Sequence, residues 1–266
     1  MKHSVIALIT DFGLSDVYVG VMKGTILSLN PEARIVDITH SIPRHDIMAG
    51  SHALMASYRY FPEGTVFVVV VDPGVGSDRA IICAESEGRY FLAPDNGVLG
   101  AILTERGYDS LVKVGREDLY IKPVSATFHG RDVFAPVAAH LSMGMDMADL
   151  GERAHGFARI DIPVAEVTAG RVAACVLWVD SFGNIVTNVS ASAVRDVISG
   201  WSGIGVEGRA HGLRLVGSYE AVAPGSLLAI VGSSGFLEFS VRGGSAARTL
   251  ELSPGDRLVL VESAEA

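Results

Sequence analysis

Thr65-Val-Phe-Val-Val-Val-Val71, running into Asp72-Pro-Gly-Val-Gly76, is the stretch that decides the fold. An unbroken run of this kind, rich in β-branched residues, reads as a strand buried on both faces, as in a parallel sheet covered by helices. Toward the N-terminus, Val5-Ile-Ala-Leu-Ile-Thr10 has the same character and runs into Asp11-Phe-Gly13. Between them, apolar spacing predicts a helix over Tyr18–Leu29, with Ser15-Asp16 as its N-cap and Asn30-Pro31 as its stop. Arg34-Ile-Val-Asp-Ile38 is a short strand, and His45–Tyr58 has helical spacing. Toward the C-terminus, Ala80-Ile-Ile-Cys-Ala84 and Tyr90-Phe-Leu-Ala93 are strands separated by Glu85-Ser-Glu-Gly88. Val98–Leu103 and Val133–Leu141 look helical. Strands alternating with helices predict a three-layer α/β domain with a mostly parallel sheet.

The character changes after about residue 160. Val172–Val179, Leu213–Val216, Leu227–Val231, Phe236–Val241 and Arg257–Val261 are short strands split by Gly, Ser and Pro, with weak helical periodicity. That pattern predicts a small antiparallel β-barrel or sandwich. The boundary is placed at Ile162-Pro163, giving an α/β domain over 1–162 and a β-barrel domain over 163–266.

Of the 266 residues, 49% are hydrophobic and 19% charged, which excludes a disordered chain. The net charge of −9, with no Lys/Arg block to offset it, argues against nucleic acid or an anionic membrane as partner. Cys83 and Cys175 sit in separate apolar runs and read as buried, reduced thiols; with no CxxC, neither a zinc cage nor a redox motif is indicated. No segment approaches the roughly 20 apolar residues that span a bilayer, and the apolar part of Met1–Ile9 is too short for a signal peptide. A cytoplasmic protein is expected.

In open α/β sheets, ligands bind beyond the C-terminal ends of the strands. Asp11 and Asp72 both fall there, each followed by glycine. Either alone could be an ordinary turn residue; two on neighbouring strands point to a site. Thr127-Phe-His-Gly-Arg-Asp132 adds His129 at the mouth of a helix, where polar groups can converge. Arg79 lies in a loop close enough to fold back over Asp72, although by itself it reads as a solvated loop cation. Asp11-Phe-Gly13 matches a kinase triplet, but it follows the first strand with no glycine-rich or catalytic loop before it. Gly74-Val-Gly76 lacks the third glycine of a dinucleotide fingerprint. Asp11, Asp16, Asp72, Asp95, Asn96 and His129 would suit a divalent-metal hydrolase, but Arg79 beside them would repel a cation.

Eight motifs, taken in order, carry a resemblance: Thr10–Asp16, Val36–Pro43, Phe61–Phe67, Val71–Gly76, Ala93–Leu99, Thr127–Asp132, Asp180–Asn188 and Gly232–Glu238. Together they resemble the S-adenosylmethionine hydroxide adenosyltransferases, relatives of the fluorinases and chlorinases, over nearly the whole chain. The resemblance implies an N-terminal α/β domain, a C-terminal β-barrel, and a homotrimer with its sites between neighbouring subunits. It implies that S-adenosylmethionine and water give adenosine and methionine, with no cofactor. By the same resemblance, Asp72, Arg79 and His129 are the water-directing set that halide-using relatives lack. Asp11 would hold the ribose hydroxyls, and Asp16 and Asp180 the methionine amino end. Phe182 would pack on adenine, Asn184 with the Ser233-Ser234 loop would bond its edge, and Glu238 joins the substrate-binding residues. The chain departs from fluorinase in two places. Pro43-Arg-His-Asp46 stands where fluorinase has a Trp near the ribose, and Ser234 stands where an Arg follows the serine of the barrel loop.

The chemistry suits such residues. Displacement at the ribose 5′ carbon releases a neutral thioether, so no general acid is needed, and activation should concentrate on water. Arg79 would stabilise developing hydroxide while Asp72 and His129 orient the water and accept its proton, the order being open. Carboxylates fit a substrate bearing an ammonium, a sulfonium and a vicinal diol better than one bearing phosphate. A halide-using synthase and a non-catalytic adenosine or S-adenosylmethionine sensor remain alternatives.

Overall fold

A computed structural model of the chain describes residues 5–161, 163–168, 170–209 and 212–264. The chain divides into two compact units, Met1–Asp161 and Ile162–Ala266.

In the first unit the strands are β1 (Val5–Thr10), β2 (Arg34–Thr39), β3 (Val66–Val70), β4 (Ile81–Ser86), β5 (Arg89–Pro94), β6 (Ser110–Val114) and β7 (Gly151–Arg153). They form one sheet in the order β2-β1-β3-β5-β4-β6-β7. The first four run parallel, and each later strand is antiparallel to its neighbour, so β6 again points with the first four. The helices are α1 (Tyr18–Leu29), α2 (Ile47–Ser57), α3 (Gly100–Arg106) and α4 (Ala135–Ser142). Alternate residues of the central strands feed two cores. Ile6, Leu8, Val66 and Val68 pack with Met22 and Ile26 of α1 and Val137 of α4. Ala7, Ile9, Phe67 and Val69 pack with Leu54 of α2 and Ile102 of α3. Both faces are therefore dry, which is why β1 and β3 read as continuous apolar runs rather than alternating ones.

Two local expectations need correction. Val17, with no side-chain cap, precedes α1, so Ser15 and Asp16 belong to the loop before it. The helix expected from His45 starts at Ile47, where the Asp46 carboxylate accepts the Ala49 N–H at 2.9 Å.

In the second unit the strands are β8 (Glu166–Thr168), β9 (Arg171–Val179), β10 (Ile185–Ser190), β11 (Ile204–Val206), β12 (Gly212–Leu215), β13 (Leu227–Val231), β14 (Phe236–Val241) and β15 (Arg257–Glu262). Pairing runs β10-β14-β13-β12-β11-β15-β9 and closes through β9–β10 into a seven-stranded barrel, with β8 added outside β9. Closure removes the exposed edges that short strands would otherwise present. Val176, Ile185, Leu213, Leu237, Phe239 and Leu260 fill the interior. One pairing, β12–β13, is parallel, because the link through the turn Tyr219–Ala221 returns the chain to the same end. Two short helices, α5 (Ala191–Asp196) and α6 (Ala246–Leu250), are capped by Ser190 and Ser245. No helix among the described residues is long and apolar enough to cross a membrane.

Candidate active site

Because β1 and β3 pair in parallel, with Thr10 beside Val70, their C-terminal ends bring Asp11 and Asp72 to the same edge. There they line a cavity of about 410 Å³ together with Asp16, Arg44, His45 and His129. Asp11 is nearly buried, and its Oδ2 accepts the His45 backbone N–H at 2.9 Å. His45 reaches that position with φ of +66°, a left-handed conformation that a non-glycine residue adopts at a cost. Its ring is 68% exposed at the pocket.

Asp72 and Arg79 are brought together by the turn between them. Gly76 allows that turn, having φ of +80° and no room for a Cβ, which would collide with the Ala126 carbonyl oxygen. Arg79 is not a solvated loop cation, since its side chain is only 9% exposed. Its Nε lies 2.6 and 2.8 Å from the two Asp72 carboxylate oxygens, and Nη2 also donates to Oδ2. The same Nη2 reaches His129 Nδ1 at 2.9 Å. A guanidinium can only donate, so Nδ1 must accept, and the neutral ring then carries its hydrogen on Nε2. Burial and the Arg79 charge push the His129 pKa below its ordinary value, against a weaker pull from Asp72 and Asp132. Arg79 itself lines a second cavity of about 310 Å³, which shares His129 with the first.

His129 is displayed by a turn of π-helix, Gly130–Phe134, that leads into α4, and such turns concentrate at functional sites. Asp132, fully buried, accepts the Ser125 N–H at 2.8 Å and binds the Arg131 guanidinium through both oxygens, tying down the loop that ends at His129. Arg131 also lies over the Phe128 ring at 5.4 Å. Phe12, Tyr18 and Phe128 meet one another at centroid distances of 5.0 to 6.0 Å and give the cavity an aromatic wall. Sequence reasoning did not single these rings out, nor Arg44. Phe12 and Phe128 lie within two motifs it used, directly beside Asp11 and His129, and that adjacency was the available signal.

In the barrel unit, Asp180, Phe182, Asn184, Ser233 and Glu238 line a separate cavity of about 850 Å³. Asp180 Oδ1 accepts the N–H groups of Phe182 and Asn184, and Oδ2 accepts the Asn184 side-chain amide, all at 2.8 to 2.9 Å. The carboxylate thus shapes its own loop and presents Phe182, which is 77% exposed. A Cβ at Gly232 would overlap the Glu238 carboxylate, so a larger residue there would displace that side chain. Tyr219, unanticipated, donates to Glu238 Oε2 at 3.3 Å and lines the same cavity, as do Arg242 and Arg248. Burial raises the Glu238 pKa and the Asp180 charge adds to this, while the Tyr219 bond opposes it. Ser234 is not among the residues that line the cavity; its Oγ is buried without a hydrogen-bond partner among the described residues.

Asp95 and Asn96, the outer members of the metal set considered above, bind backbone instead. Asp95 Oδ1 accepts the Ala158 N–H, and the Asn96 amide donates to the Val71 carbonyl. Among the described residues, no three His, Cys, Asp or Glu side chains converge as metal ligands would.

A mostly parallel α/β unit with a carboxylate-bearing cavity at its strand ends, followed by a closed barrel with a cavity of its own, defines a two-unit α/β-plus-barrel protein. The chain belongs to the SAM hydroxide adenosyltransferase family: residues 6–151 match that family's N-terminal domain and residues 174–259 its C-terminal domain. It is 38% identical over 256 residues to the (R)-S-adenosyl-L-methionine hydrolase of Salinispora tropica, covering 95% of this chain and 96% of the relative. The protein of the same name from Thermus thermophilus is 36% identical, covering 93% and 95%. The fluorinase of Actinopolyspora mzabensis is more distant, at 28% identity over 71% of this chain and 72% of that protein. A crystal structure of an uncharacterized conserved protein from Thermotoga maritima superposes with a TM-score of 0.90 at 36% identity, covering 96% of this chain and 99% of that one.

Proposed function

We propose that this protein hydrolyses S-adenosyl-L-methionine to adenosine and L-methionine by in-line attack of water on the ribose 5′ carbon. The observation that carries the reading is the Asp72–Arg79–His129 cluster, its ion pair nearly buried, beside a cavity that also holds Asp11 and Asp16. The greater likeness to relatives named as hydrolases than to fluorinases supports water over halide.

The cluster's hydrogen bonding supports one division of roles. His129, with Nδ1 held by Arg79, offers a nucleophilic water a donor at Nε2–H rather than a base. Asp72 has lone pairs left over from the Arg79 clamp and accepts the water's proton. A water held by one donor and one acceptor points a lone pair at the 5′ carbon. The oxygen–carbon bond forms as the carbon–sulfur bond breaks, with its electron pair going to sulfur. A neutral His129 also avoids setting a second cation beside the sulfonium. Asp11 then holds the ribose hydroxyls and Asp16 the ammonium. In the barrel cavity of a neighbouring subunit, Phe182 stacks on adenine, Asn184 and Ser233 bond its edge, Asp180 faces the methionine amino end and Glu238 adds negative charge.

The protein needs no cofactor in this scheme and acts as a homotrimer whose subunit interfaces complete the sites. Leu14 and Val17, 70% and 71% exposed beside Asp16, and the exposed Phe182 are apolar surface that such an interface would cover. A net charge of −9 argues against nucleic acid as a partner, and two buried free thiols fit a reducing, cytoplasmic setting.

Chromatography of S-adenosylmethionine incubated with the protein in chloride or fluoride tests the reading. Adenosine and methionine are expected, with rates at least about tenfold lower in each of Asp72→Ala, Arg79→Ala and His129→Ala, equivalent to about 1.4 kcal/mol of barrier. A 5′-halo-adenosine would move the protein to the halide branch, binding without turnover would make it a sensor, and loss of turnover in chelator would make it a metal hydrolase. Unchanged rates in all three variants would overturn the site.

A further inference from the structure

We propose that His40 is a positioning residue: with Thr10, Asp37 and Lys23 it forms a brace that sets the turn carrying Asp11. The inference rests on the reading of Asp11 as the group that holds the ribose hydroxyls, and it deepens that reading.

The pairing of β1 with β2 is irregular at one point. Leu8 lies beside Asp37 but Ile9 lies beside Thr39, so β2 carries an extra residue, Ile38. Bulges of this kind are rare between parallel strands and serve to re-aim side chains next to sites. Here the shift brings His40, rather than Thr39, to the end of β1. His40 Nδ1 lies 2.8 Å from Thr10 Oγ1, and both side chains are buried. On the other side of the ring, Nε2 is 3.0 Å from Asp37 Oδ1, and Lys23 Nζ is 2.6 Å from Asp37 Oδ2. Burial works against the Asp37 charge, but the Lys23 and His40 contacts outweigh it and hold the carboxyl below its ordinary pKa.

The donors and acceptors then fall in one direction. Nε2 makes no hydrogen bond among the described residues, but the Asp37 carboxylate 3.0 Å away attracts a hydrogen there electrostatically, which leaves Nδ1 to accept the Thr10 hydroxyl. Thr10 Oγ1 in turn accepts the Phe12 N–H at 3.3 Å, and the His40 carbonyl accepts the Gly13 N–H at 2.8 Å. Thr10 and Gly13, which flank Asp11 and Phe12, are therefore both held by one buried histidine, Thr10 through its side chain and Gly13 through its backbone carbonyl. Asp11 sits inside that grip, its carboxylate aimed into the cavity, with a single side-chain hydrogen bond, from the His45 N–H. Nothing in the proposed chemistry uses His40 directly, and Thr10, fully buried, cannot be a nucleophile.

The test compares S-adenosylmethionine with its 2′-deoxyadenosyl analogue. His40→Ala should lower kcat/KM for S-adenosylmethionine about tenfold through KM, the scale of one lost hydrogen bond to a charged group. The analogue, lacking one hydroxyl for Asp11 to hold, should change by less than about twofold. His40→Asn, whose side-chain carbonyl can take the Thr10 hydroxyl, should restore most of the loss. Thr10→Val, nearly isosteric, should repeat the pattern and stands in if His40→Ala does not fold. Equal losses on both substrates, or a loss confined to kcat, would overturn the brace. Asp11→Asn separates the two claims. If that variant loses the preference for the ribose while His40→Ala and Thr10→Val keep it, the brace fails and the reading of Asp11 stands. If Asp11→Asn keeps the preference, the reading of Asp11 falls and the brace falls with it.

Discussion

Removing Arg79 probes the centre of the site twice, once through stability and once through chemistry. Asp72 and Arg79 are 5% and 9% exposed at the side chain, and among the described residues this guanidinium is the one cation within ion-pair distance of Asp72. Arg79→Ala leaves a carboxylate stranded in a nearly dry wall, and breaking a buried pair from one side costs about 3–5 kcal/mol. For a chain of this size that is a fall of roughly 6–20 °C in melting temperature, at about 2–4 °C per kcal/mol. The double variant Asp72→Ala with Arg79→Ala removes the stranded charge and should recover much of that loss, although neither protein should turn over substrate at a useful rate. Chemical denaturation of wild type, Arg79→Ala and the double variant, beside adenosine release by chromatography, gives both readouts. A double variant no more stable than Arg79→Ala alone would refute the claim that the pair is buried and mutually dependent.

Three further outcomes follow from the same geometry. His129 has a lowered pKa, so its neutral form is the folded one; its contribution to stability should be complete above about 6.5 and be lost as pH falls through the depressed folded value. Turnover should accordingly stay level down through about pH 6.5 before it falls, and a His129 resonance titrating at or above 6.5 in NMR would contradict this. Gly76→Ala should cost more than about 1 kcal/mol and lower kcat, because φ of +80° and the Ala126 carbonyl leave no space for a Cβ; a wild-type melting curve would contradict it. Asp180→Ala should raise KM several-fold by releasing the N–H groups of Phe182 and Asn184, and an effect on kcat alone would count against the loop's role in binding.

Most of the α/β sheet was legible because strands buried on both faces cannot hide their apolar runs. β6 was missed for the opposite reason: in Ser110-Leu-Val-Lys-Val114, Lys113 faces solvent and breaks the run. In the barrel, β10 carries the buried polar residues Thr187 and Asn188, satisfied by the Leu237 carbonyl and the Cys175 N–H, so its composition reads as loop. The start of α1 was misjudged because Ser15 and Asp16 are good capping residues in sequence but belong to the exposed loop at the cavity. Asp11 and Asp72 could be found from strand ends and glycines alone. Arg79 could not: what makes it more than a loop cation is a clamp across seven residues of turn and a contact to His129 fifty residues away, both tertiary. The aromatic wall of Phe12, Tyr18 and Phe128 is likewise assembled only by folding.

Attack by water at the 5′ carbon is tested most directly by where the water's oxygen goes. Turnover of S-adenosylmethionine in ¹⁸O-water, with the products separated and weighed by mass spectrometry, should place one ¹⁸O in the 5′ hydroxyl of adenosine and none in methionine. Adenosine free of the label, or a 5′-halo-adenosine in its place when halide is present, would contradict attack by water at the 5′ carbon.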